Sequence, residues 1–279
     1  MRENAYWKTR VPAHMKFFIL LGGFTALAYA VFIIANTIYN DGLTLDTFIF
    51  MVCGTAVWIF LGISVLKWHS HAGMSIMFLY MAYLSLSFLD GIVWVSRYNG
   101  DISQMFSLDL IVKLICTVIF LMGWIASHKN HSQWKSYSMD RLPSGRNALM
   151  IIGDVGGVLY FAVTVLLVSA SVISGGLMPS SVINVAAFAL MTLILIRSKT
   201  VSSMGAFFII MAGELLGTGL TILKSNVSVI QWLYSGNVAQ MELFSHMMMY
   251  VLIAEAAGAV MTLLGLFGTI KFRRENLSD

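Results

Sequence analysis

Two carboxylates stand where the apolar core of a bilayer is expected. Glu214 lies in FFIIMAGELLGTGLTIL (Phe207–Leu223), and Glu255 lies in the run AEAAGA of the next apolar segment. A charge at mid-bilayer costs roughly 2.5–3.5 kcal/mol on insertion scales, so each acid needs a partner, a proton or a water-filled path. Two acids close together in a low dielectric do not both ionise, and one then holds a proton near neutral pH. That is the chemistry of proton or cation coupling. Asp154, beside Gly153, Gly156 and Gly157, is a third candidate, as a polar group lining an inner vestibule. Glu214, Glu255 and Asp154 form the set of proton or ion-site candidates; Glu214 and Glu255 would serve equally as hydrogen-bonded packing groups, and Asp154 reads first as a helix-end hydrogen bond.

A second set, Asp90, Asp109, Lys113, Glu242 and His246, forms an expected outer polar layer. Asp109 with Lys113, and Glu242 with His246, each put an acid and a base on one helix face at i, i+4. An acid beside an imidazole can relay protons. Asp90 and Lys113 both fall about 10 Å inside the outer face at about 1.5 Å of rise per residue, which makes them the expected salt bridge.

Metal, cofactor and enzyme chemistry find little support. Cys53 and Cys116 lie inside apolar segments, with no CxxC and no neighbouring histidine. Both read as small buried hydrophobes. Consecutive Met247, Met248 and Met249 point to different helix faces and cannot ligate one ion. His246 is the lone histidine expected within a span, so no bis-histidine haem pair is evident. GxSxG, HExxH and P-loop patterns are absent. The pattern calls for no catalytic residues, no metal and no cofactor, and points away from an enzyme.

The elements that position these residues are apolar spans. The chain of 279 residues is 58% hydrophobic and 11% charged, against about 25% charged in a typical soluble domain. Apolar runs of about 20 residues alternate with charge clusters, which is the pattern of transmembrane helices. About eight spans are expected, over 17–39, 46–66, 73–96, 107–127, 148–173, 180–196, 204–224 and 241–270. The first is too long for the apolar region of a cleaved signal peptide and reads as a retained anchor. The fold class is therefore an all-α integral membrane protein.

Net charge is +4, but the basic residues sit beside spans, where they orient a membrane protein rather than bind nucleic acid. Arg2, Lys8, Arg10 and Lys16 precede the first span, Lys67 follows the second, and Lys129, Lys135, Arg141 and Arg146 follow the fourth. Arg197 and Lys199 follow the sixth, and Lys271, Arg273 and Arg274 follow the eighth. This alternation predicts that both termini are cytoplasmic.

The second half echoes the first at an offset of about 130 residues. LGGFTALAYAVF (Leu21–Phe32) matches IGDVGGVLYFAV (Ile152–Val163), and Lys67 and Gly73 match Arg197 and Gly205. Asp109 and Lys113 match Glu242 and His246. With four spans each, both halves insert the same way up, giving a 4+4 parallel tandem repeat. The expected organisation is a cytoplasmic segment (1–16), a first four-helix half (17–127), a cytoplasmic linker (128–147), a second four-helix half (148–270) and a cytoplasmic tail (271–279). The external segment KSNVSVIQWLYSGNVAQ is expected to lie in the interface.

AGELLGTG (Ala212–Gly219) is similar to a Gly-Glu segment of the quinol-facing anchor subunits of bacterial molybdoenzyme reductases, which also have eight spans. The likeness covers about eight residues. There the segment lies in the last span with a basic residue after the second glycine; here it lies in the seventh, with Thr218 in that place. The resemblance implies a quinol-site role for Glu214 and a soluble redox partner.

The reading that follows is a small-solute or ion transporter or channel of a bacterial inner membrane, with proton coupling through the mid-membrane acids. Its alternatives are an anchor or accessory subunit of a quinone-linked respiratory complex and a non-transporting immunity or defence protein. The expected partners are the bilayer, and a second copy or a membrane or soluble subunit.

Overall fold

Lipid offers no hydrogen bonds to a backbone, so apolar spans satisfy their own N–H and C=O groups by coiling into helices. The structure, a computed structural model, describes residues 11–40, 42, 44–86, 88–98, 107–134, 147–175, 179–233 and 238–277. Every regular element among them is an α-helix: α1 (Ala13–Asn40), α2 (Leu45–Trp68), α3 (His71–Leu86), α4 (Phe88–Tyr98), α5 (Leu108–Trp134), α6 (Ala148–Gly175), α7 (Pro179–Ser198), α8 (Val201–Leu233) and α9 (Val238–Leu277). Seven spans are long and apolar enough to cross a membrane, one of them formed by α3 continuing into α4, and α8 is apolar over Val201–Gly217. The protein is thus a multi-pass helical protein of membrane type.

Boundaries differ from expectation at the ends of some spans. The seventh helix does not stop at Lys224 but runs to Leu233, so the first part of the expected interfacial segment continues α8. Helix α5 extends through His128 to Trp134, into the expected linker.

Helix ends are set by local chemistry. Thr44 and Thr47 form a reciprocal capping box at the start of α2, which satisfies two N–H groups that the helix itself cannot. The turns α2–α3 and α7–α8 are built alike. His69 (φ 50°) and Lys199 (φ 51°) adopt the left-handed conformation, and their N–H groups donate to Val65 O and Leu195 O. The next residue, Ser70 or Thr200, caps the following helix by accepting from the N–H of Gly73 or Ser203. A left-handed non-glycine residue costs roughly 1–2 kcal/mol, which the caps on either side offset. Burial pushes the His69 imidazole down to about 4, so this turn carries a neutral histidine at pH 7.

Helices α1, α2, α3 and α5 pack about Trp58, which is 1% exposed. Its indole stacks on Phe120 with centroids 5.5 Å apart and meets the edge of Tyr29 at 5.2 Å. Helices α6, α7, α8 and α9 pack together in the same pairwise pattern, and the two groups meet where α2 lies on α8 and α3 on α7.

Small residues let α6 and α9 cross closely. A Cβ on Gly153 would lie 2.6 Å from Gly265 Cα, and one on Gly156 would lie 2.8 Å from Met261 Cβ. Asn147 fixes the end of this crossing: its side-chain amide donates to Gly268 O at 2.9 Å while its carbonyl accepts from Met150 N at 2.8 Å. A methionine wedges into each group, Met74 against Gly22 and Gly123, and Met204 against Gly153 and Gly265. Without a hydrophobic drive between helices in lipid, such close packing carries much of the association.

Backbone blocks the missing side chain at Gly153 and Gly265, so Gly153→Ala and Gly265→Ala should each destabilise the fold by about 1–3 kcal/mol. Gly219→Ala, whose Cβ would meet only Leu252 Cδ1 at 3.9 Å, should stay within about 0.5 kcal/mol of wild type. Thermal unfolding of the three purified variants in detergent checks this, and equal losses at all three positions would contradict the crossing.

Candidate functional site: an acid-lined cavity between the helix groups

Helix α8 carries Glu214 about 20 Å along its axis from Val201, at about 1.5 Å per residue. Glycine makes room beside it. Gly213 abuts α2, where its missing Cβ would lie 3.2 Å from Cys53 Cβ, and Gly217 abuts Phe50 one turn further. Gly54 of α2 would meet only Ile33 Cδ1, at 3.9 Å, and leaves open space. The result is a cavity of about 130 Å³ between α2, α3 and α8, with Phe50, Cys53, Tyr80 and Glu214 on its wall. The Glu214 side chain is exposed and lines this cavity. Among the described residues no hydrogen bond or ion pair reaches the Glu214 carboxylate.

Glu255 lies on α9, 2% exposed, within electrostatic range of Glu214. Tyr160 of α6 is within range of both acids and of Tyr80 and Tyr83 of α3. Glu214 is thus within electrostatic range of Tyr80, Tyr83 and Tyr160, drawn from both helix groups, and Glu255 within range of Tyr160. Tyr160 packs its ring edge on Phe188, with centroids 5.2 Å apart, and Tyr83 meets the same ring at 6.1 Å. Such an array can hold a proton or a cation at Glu214 with Glu255 as a second carboxylate behind it.

No protein-family model matches the chain, and neither does any curated protein or solved structure. The geometry alone carries the functional argument.

The expected small-residue contact between the two acids is not formed. Gly213 and Gly217 face α2, while Gly258 of the AEAAGA run packs on Gly156 and Met211. Asp154 is buried on α6, 6% exposed, and is not on the cavity wall. The expected Asp90–Lys113 bridge is replaced by two other contacts. Lys113 pairs with Asp109 one turn away on α5, at 2.5 Å. Asp90, on α4, instead caps α7: its carboxylate accepts from Ser180 N at 2.8 Å and from the Ser180 hydroxyl. An acid at a helix N-terminus satisfies free N–H groups and meets the positive end of the dipole. This contact ties the two helix groups together at the end opposite the His69 and Lys199 turns. The side chains of Glu242 and His246 lie outside the described residues.

At the end that holds the His69 and Lys199 turns, His71 Nδ1 and Ser127 Oγ share a hydrogen bond of 2.8 Å, and the His71 and His128 rings lie 5.7 Å apart. Among the described residues no three His, Cys, Asp or Glu side chains gather as metal ligands.

Phe50, Tyr80 and Tyr83 were not among the residues singled out from sequence, Tyr160 entered only through the repeat match, and Cys53, read as a small buried hydrophobe, is instead partly accessible on the cavity wall. One signal was available for the tyrosines. Tyr80, Tyr83 and Tyr160 stand well inside their spans, whereas a tyrosine serving as an interfacial anchor sits at a span end.

A double-mutant cycle reads which partner Asp90 has. Asp90→Ala with Ser180→Ala should couple by about 0.5–3 kcal/mol in unfolding free energy, whereas Asp90→Ala with Lys113→Met should be additive within about 0.5 kcal/mol. Strong coupling to Lys113 and none to Ser180 would contradict the cap.

Proposed function

We propose that the protein is a small-solute or ion transporter built as two four-span halves, with Glu214 and Glu255 as its mid-membrane proton or cation site. The single observation that carries this reading is the cavity beside Glu214, whose accessible carboxylate has no hydrogen-bonded partner among the described residues. A carboxylate serving only to lock helices together is expected to be bonded to a neighbour, because an unmet polar group in an apolar setting is costly. An accessible acid between two helix groups is instead suited to exchanging one bound species for another.

The tandem repeat is supported by matched details. His69 and Lys199, Ser70 and Thr200, and Met74 and Met204 have corresponding roles at an offset of 130 residues. Exchanging the halves converts the α2–α8 contact into the α7–α3 contact, and both are formed. Transporters with parallel repeats bind substrate near the midplane where the repeats meet, and the Glu214 cavity lies at such a junction. Basic residues beside alternate span ends favour cytoplasmic termini and insertion in a bacterial inner membrane. Asp90, Asp109 and Lys113 would then form part of an outer polar layer, with Asp90 closing α4 onto α7. Movement of the halves about this contact would open the site to one side at a time.

Reconstitution tests the reading. In proteoliposomes containing a pH-sensitive dye, a panel of monovalent cations, amines, amino acids and sugars should include at least one solute that drives protein-dependent proton movement. Glu214→Gln should reduce the rate at least about tenfold, the equivalent of roughly 1.4 kcal/mol, while the purified variant keeps its thermal stability. Identical traces from wild type, Glu214→Gln and protein-free vesicles for every solute would overturn it.

A further inference from the structure

We propose that the Glu214 cavity binds a small organic ammonium ion, a protonated or quaternary amine of about the size of benzene. As a statement about transport it rests on the function proposed above; as a binding site it rests on the cavity alone.

Size sets the first limit. The cavity is about 130 Å³, and an apolar cavity of about 150 Å³ in a protein interior holds one benzene molecule. Charge sets the second. Among the described residues Glu214 is the acidic group on the wall, and no basic side chain lines it. An anion would meet repulsion, and a neutral apolar guest would leave the carboxylate without a counter-charge in an apolar wall.

The remaining wall chooses among cations. Phe50 and Tyr80 supply aromatic rings, while Val57, Ile209 and Ile210 supply aliphatic surface. Sodium, potassium and divalent metals surrender their water only to several oxygen ligands. Among the described residues the side-chain oxygens here are those of Glu214 and the Tyr80 hydroxyl, and the helical backbone carbonyls are engaged within their helices. A weakly hydrated ammonium needs no such cage. It takes one carboxylate for its charge and aromatic faces for its methyl or methylene shell, the combination by which quaternary ammonium groups are recognised. Binding to a protonated Glu214 releases that proton to solvent and leaves the carboxylate paired with the ammonium, so charge and protons balance.

Cys53 is a native reporter. It lies on the cavity wall and is partly accessible, whereas the chain's other cysteine, Cys116, is buried. Modification of Cys53 by N-ethylmaleimide in the purified full-length protein, followed by peptide mass spectrometry, reads occupancy directly. Choline and tetramethylammonium, each at ten times its Kd, should slow modification about tenfold. The neutral isostere of choline, 3,3-dimethylbutan-1-ol, and potassium ion should leave the rate unchanged. Glu214→Gln should abolish protection while Cys53 remains reactive, and Phe50→Leu, which keeps the acid, should weaken protection several-fold. Equal protection by the neutral isostere or by potassium, protection that survives Glu214→Gln, or no protection by either ammonium ion would overturn the proposal. Protection by choline without protein-dependent flux would keep the binding site and remove the transport reading. Flux of another solute without protection would remove the ammonium site and keep transport.

Discussion

A carboxylate in the middle of an apolar helix array must have its charge met by a proton, a cation or water. The architecture around Glu214 follows from that constraint. Gly213 and Gly217 bring α8 against α2, and the space left by Gly54 opens a cavity on the acid rather than sealing it. Glu255 stands behind on α9, almost completely buried, where its field reaches Glu214. Moving either acid by one residue would turn it roughly 100° around its helix and out of this arrangement.

The surrounding helices are held by packing that demands little polarity. Glycines set the α6–α9 crossing, and methionines fill the centre of each helix group. Met suits this role because its unbranched thioether adapts to irregular gaps. Polar groups also fix the helix ends. Thr44, Ser70, Asn147 and Thr200 cap helices from within the chain, and Asp90 caps α7 from a different helix. That last contact puts a charged lock between the two helix groups at the end opposite the His69 and Lys199 turns.

The helical spans were legible in the sequence because hydropathy and length bear directly on the cost of crossing a bilayer. The acids were legible for the same reason, since each is expensive where it stands. What each acid or glycine faces was not legible. Depth, counted along a span, put Asp90 and Lys113 at one level, but it carries no information about rotation, and Lys113 turns to Asp109 on its own helix. Adjacency in sequence suggested that the glycines of α8 would meet the small residues of α9; they meet Cys53 and Phe50 of α2 instead. The tyrosines near Glu214 belong to helices distant in sequence, and their convergence depends on how the two groups dock. The turns at His69 and Lys199 are built alike and lie 130 residues apart, close to the offset at which the sequence echoes itself.

The central claim is that Glu214 exchanges a proton for an ammonium ion. Calorimetric titration of choline into the purified protein, repeated in buffers of different ionisation enthalpy, measures that exchange directly. Net proton release makes the observed heat depend linearly on the buffer, by linkage between ion binding and protonation. The account predicts such a dependence in the wild-type protein, approaching one proton per bound ion when Glu214 begins protonated, and its disappearance in Glu214→Gln. Heat of choline binding that is independent of the buffer at every pH, or a buffer dependence unchanged in Glu214→Gln, would contradict it.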